Sequence, residues 1–65
     1  MNRLEEAAIY ADAKKLPIII RVRKEGVQIS LHVLHHTVSW AQLEHARINL
    51  LIDTIDQMIE RHTYE

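Results

Sequence analysis

Apolar residues recur at two different periods along this chain, and the change of period divides it. Between residues 17 and 34 the period is two. Ile18, Ile20 and Val22 alternate with Ile19, Arg21 and Arg23, and Val27, Ile29, Leu31 and Val33 alternate with Gln28, Ser30, His32 and Leu34. Alternation rich in β-branched residues is the mark of half-buried strands. Gly26, the only glycine, lies between the two runs, so a hairpin with a left-handed Gly26 is predicted. Parity restricts its loop. A three-residue loop would pair Val22 with Gln28 and send the apolar faces to opposite sides. A four-residue loop over residues 23–26 pairs Val22 with Val27, Ile20 with Ile29 and Ile18 with Leu31. A type I turn ending in a left-handed glycine suits it. A two-residue loop of Glu25 and Gly26 keeps parity too, but needs a left-handed Glu25.

From residue 39 to residue 62 the period becomes helical. Ser39 and Gln42 form an S-x-x-Q capping box, with Val38 and Leu43 placed for a hydrophobic staple. No Gly or Pro interrupts the run, and one helix roughly 35 Å long is predicted. Asn49, Asp53, Asp56 and Glu60 share a polar stripe. Ile48, Leu51, Ile55, Met58 and His62 share an apolar one, Leu43, Ala46 and Leu50 add a second, and Ile52 and Ile59 flank the first. Such a girth is wider than one buried stripe requires. Either the helix is sunk in its own core, or it covers its own domain with one strip and a second copy with the other. The shortness of the chain favours the second, giving a homodimer with Ile48, Leu51, Ile55 and Met58 at the interface.

Residues 2–15 read as a short helix. Asn2 is placed as its N-cap, Glu5 and Glu6 lie in the first turn, Lys14 and Lys15 in the last, and Leu4, Ala7, Ala8 and Ala11 make a shallow face. Pro17 ends it. Residues 35–37 read as a link between hairpin and long helix. The expected class is α+β, a single small domain of order α-β-β-α. The alternative is an all-α helical dimer in which residues 27–36 join the long helix.

Sixty-five residues without cysteine lie near the lower limit for an unaided fold, and neither disulfides nor a Cys-based zinc site can help. Self-association is the remaining common support. No apolar run reaches the length of a membrane span, and the start Met-Asn-Arg-Leu-Glu-Glu lacks the apolar core of a signal peptide. A cytoplasmic chain with no membrane partner is expected. The net charge of −1 is split unevenly. Residues 1–38 carry six Lys and Arg against four acids, and residues 39–65 two against five. Arg21, Arg23 and Lys24, with His32 on the same outer face, form the candidate surface for an acidic partner or nucleic acid.

Catalytic chemistry finds little purchase. Ser30 and Ser39 lack a nucleophile-elbow setting, and the Asp and Glu residues at helical spacing read as a solvated face. No phosphate-binding Gly loop is present. His32, His35 and His36 cluster and His45 follows, but no carboxylate lies among them, so no metal site is expected. The expectation is no enzyme, no cofactor and no catalytic, cofactor-binding or metal-ligating residue. Trp40 is assigned to the core over the end of the hairpin, or else to a partner-binding anchor. Duplex DNA is the rival partner, since a β-ribbon carrying Arg21, Arg23 and Lys24 can enter a major groove.

The start Met-Asn-Arg-Leu-Glu-Glu-Ala-Ala-Ile-Tyr-Ala, the later Leu-Pro-Ile-Ile-Ile-Arg-Val-Arg-Lys and the absence of cysteine together resemble the small early proteins encoded between the exonuclease and excisionase genes of lambdoid phages. The resemblance covers the whole chain and carries no diagnostic motif, so no residue role follows from it. It implies a phage accessory factor in the host cytoplasm that binds host or phage regulators and biases development.

Overall fold

The computed structural model describes residues 2–64, the side chain of Tyr64 excepted. Glu65, counted above in the acidic half, lies outside them. Six elements follow in order: α1 (Arg3–Ala13), β1 (Ile18–Val22), β2 (Gly26–Leu31), β3 (Leu34–Ser39), α2 (Trp40–His45) and α3 (Leu50–Tyr64). The class is α+β, with a third strand where a link was predicted.

Helix α1 begins as its sequence requires. The Asn2 side chain accepts from the Glu5 backbone N–H at 2.8 Å, and Glu5 and Glu6 face the positive end of the helix dipole. It ends earlier than predicted. Lys14 is the C-cap, and Lys15 turns the chain with φ 57. Neither lysine therefore lies in the last turn. Lys14 Nζ lies 4.7 Å from the centre of the Tyr10 ring, a cation–π contact.

The sheet is an antiparallel meander with β2 in the middle. Between β1 and β2 the register is the one parity demanded: Ile18 opposite Leu31, Ile20 opposite Ile29 and Val22 opposite Val27. The loop differs from the expectation in one respect. Arg23 N–H donates to Gly26 O at 2.7 Å, and Gly26 has no positive φ. Glycine is needed there for close approach. Gly26 lies opposite Ser39, and a Cβ on it would meet Val38 O at 2.1 Å. The left-handed residue is His32, with φ 55. It is the first of two residues joining paired Leu31 and Leu34, the position where a two-residue hairpin turn takes positive φ. Val33 stands at the tip, 83% exposed.

The predicted long helix is broken over residues 46–49. Ala46, the C-cap of α2, is extended (φ −74, ψ 141). The capping box at Ser39 and Gln42 is present in full. Two side chains hold the break. The Arg3 guanidinium donates to Leu43 O at 2.6 Å and Ala46 O at 2.7 Å, satisfying carbonyls that the end of α2 leaves unpaired. Asn49 donates to Arg3 O at 2.8 Å while its side-chain oxygen accepts from Leu51 N–H at 3.1 Å. Asn49 thus starts α3 and is no longer part of an acidic stripe. The new axis lets α3, about 22 Å long, pack against β2, β3 and α1.

The core comprises Ala7 and Ala11 of α1, Val27, Ile29 and Leu31 of β2, Val38 of β3, and Leu51, Ile55 and Met58 of α3. Small alanines let α1 lie close to α3. Burial of each large member stabilises the fold by about 1.5–3 kcal/mol. Among the described residues no buried side-chain N or O lacks a hydrogen-bond partner. The expected dimer seam needs correction. Leu51, Ile55 and Met58 are filled by this chain's own strands, and only Ile48, in the linker, is exposed, at 59%. The seam does not present a continuous apolar stripe to a second copy, because β2, β3 and α1 of the same chain cover it.

Candidate interaction surface

The two faces of the sheet differ in kind. Alternation places Ile18, Ile20, Val22, Val27, Ile29, Leu31, Leu34, His36 and Val38 toward the helices. Ile19, Arg21, Gln28, Ser30, His35 and Thr37 fall on the other face, which no helix covers; Ile19, Arg21, His35 and Thr37 are exposed there. Across this face Ser30 Oγ and His35 Nδ1 lie 2.9 Å apart. His35 and Thr37 were missed as members of the surface because β3 was read as a link.

Arg23 and Lys24 extend the same end of the sheet through the β1–β2 loop, and both are exposed. Trp40 holds that loop. Its indole N–H lies 3.0 Å from Lys24 O and 3.2 Å from Arg23 O, and its backbone N–H donates to Glu25 O at 3.4 Å. The indole reaches the hairpin end, but contrary to the expectation of a core position the ring stays 43% exposed and outside the core. The capping box at Ser39 fixes where helix α2 begins, and so where the indole sits. A loop of two cations and one acid, Glu25, is thereby tethered to the body of the domain.

The structure brings Arg21, Arg23 and Lys24 together but separates His32 from them. His32 lies in the β2–β3 turn, at the far end of a six-residue strand, roughly 20 Å away. Its ring stacks on that of His62, with centroids 4.6 Å apart and 23° between planes. His36 takes an inner-face position opposite Ile29 and lines a small hollow with Thr54, Gln57, Met58 and Arg61. The histidines close in sequence are therefore dispersed. Among the described residues no three His, Asp or Glu side chains gather in a metal-holding group. The acids of α3 lie in the helical layer, where the Asp56 carboxylate accepts from the Tyr10 hydroxyl and Asp53 from Gln57 at 2.7 Å.

The arrangement defines a small α+β domain with an open sheet face, basic at one end, backed by helices. No helix among the described residues is long and apolar enough to cross a membrane. No family model, no curated protein and no solved structure matches the chain.

Proposed function

We propose that the chain is a non-enzymatic interaction protein that binds an acidic protein partner through the open sheet face and the basic β1–β2 loop. The observation that carries this reading is the tethering of Arg23 and Lys24 by the Trp40 indole. Fixing a loop in advance reduces the ordering cost of binding, and exposed cations speed encounter with an acidic surface. The resemblance to lambdoid early proteins extends the proposal to a host or phage regulator as the partner, with an effect on development. Duplex DNA is the second reading, favoured by the convergence of Arg21, Arg23 and Lys24. Against it stand the single apolar residue on that face, Ile19, and the lack of an aromatic residue between the strands' cations.

The test compares the wild-type chain with Arg21→Glu/Arg23→Glu/Lys24→Glu. A host protein captured by the wild type and lost with the triple variant supports the proposal. Retardation of duplex DNA at low salt, falling steeply as salt rises, supports the second reading in its place. Capture that survives charge reversal overturns both.

A further inference from the structure

Among the described residues strand β1 has an unpaired edge, and its backbone groups can be assigned. Arg23 N–H bonds to Gly26 O, and hydrogen-bonded pairs alternate along an antiparallel ladder. Arg21 with Gln28 and Ile19 with Ser30 are then the bonded pairs. The N–H and C=O groups of Ile18, Ile20 and Val22 therefore point away from β2. Only Ile18 N–H is satisfied locally, by Leu16 O at 2.7 Å. The side chains agree that this edge is uncovered. Val27, Ile29 and Leu31 of β2 are buried, whereas their neighbours Ile18 and Ile20 are half-buried and Val22 is 59% exposed. The other edge is different in character: β3 turns the backbone of His35 and Thr37 outward and runs directly into α2 at Trp40.

We infer that β1 pairs antiparallel with β1 of a second copy about a two-fold axis at Ile20, giving a continuous six-stranded sheet. The register follows by elimination. An axis at Arg21 would set two arginines directly opposite. An axis at Ile19 would set Val22 opposite Leu16, outside the strand, and an axis at Val22 would set Arg21 opposite Arg23. An axis between residues would mix inner with outer faces. The axis at Ile20 pairs Ile18 with Val22 of the other copy on the inner face and Ile19 with Arg21 on the outer. Ile20 N–H groups and carbonyls bond reciprocally, and each Val22 N–H meets an Ile18 carbonyl. The exposed Val22 side chain gains an apolar neighbour. The two Arg21 side chains stand diagonally, about 7–8 Å apart at the backbone, so added salt strengthens this association by screening them.

Sedimentation equilibrium on the full chain, from micromolar to millimolar loading, is the experiment. The expected result is a mass rising with concentration from 7.6 kDa toward twice that value, more readily in higher salt. Ile20→Pro removes the central outward donor without removing a ladder bond to β2, and abolishes the rise. Val22→Lys, at an exposed site where the fold tolerates change, weakens association by roughly tenfold or more. Thr37→Lys on the opposite edge leaves it unchanged. A folded wild-type chain that stays at 7.6 kDa throughout, or a dimer indifferent to Val22→Lys, overturns the inference.

Discussion

The two hairpins share β2 yet turn by different means. The first loop has no residue with positive φ, and an indole outside the hairpin holds its carbonyls. The second turns in two residues by forcing His32 to φ 55, with its ring laid on His62 of α3. The first hairpin is thus fixed by contacts from outside its own turn, and the second by local backbone strain offset by a stack. Strain of this kind costs about 1–3 kcal/mol and persists only where the surroundings hold it. Here they are the core beneath β3 and the end of α3.

Four substitutions separate the contributions. The largest effect is expected from Ile29→Ala, which empties the fully buried centre shared by both hairpins and costs about 3–4 kcal/mol in urea unfolding. That loss is enough to leave so small a domain largely unfolded. Gly26→Ala comes next, at about 2–3 kcal/mol, because its Cβ would strike Val38 O. It should shift chemical shifts in β3 more than in β1. Trp40→Phe removes the indole donor and keeps the ring, costing about 1 kcal/mol. Amides of residues 23–25 should then exchange faster while those of residues 32–33 do not change. The smallest change is a gain: His32→Gly relieves the left-handed backbone and raises the urea midpoint slightly, the relief being largely offset by the lost stack and the freer unfolded chain.

The same contrast explains what the sequence made legible. Ile18 to Val22 and Val27 to Leu31 alternate cleanly, and parity alone yields their register. The third strand was hidden twice. His36 occupies an inner position, so only Leu34 and Val38 carry the apolar alternation, and the turn before it has no Gly, Asn or Asp to mark it. The break in the long helix was hidden because its cause lies elsewhere in sequence. Arg3 is forty residues from Leu43, and helical spacing does not change at residues 46–49. Only Asn49 ahead of Leu50 and Leu51 offered a local sign, as a second N-cap. The breadth of the apolar surface on the helix was real, but α1, β2 and the unseen strand together cover Leu51, Ile55 and Met58. Of the candidate surface, Arg21, Arg23 and Lys24 were placed correctly by alternation and loop position. His32 was misplaced because its strand ends at Leu31, three residues before the end of the alternating run at Leu34.

Strand β2 gives the most direct test of the central claim that it is paired on both sides. In the ladder assigned above, Gln28 and Ser30 amides face β1, while Val27, Ile29 and Leu31 amides face β3. Amide hydrogen exchange followed by NMR reads these five positions one by one. Protection at all five in succession is the expected result. Protection at Gln28 and Ser30 alone, with Val27, Ile29 and Leu31 exchanging freely, would contradict the third strand and return the molecule to a single hairpin.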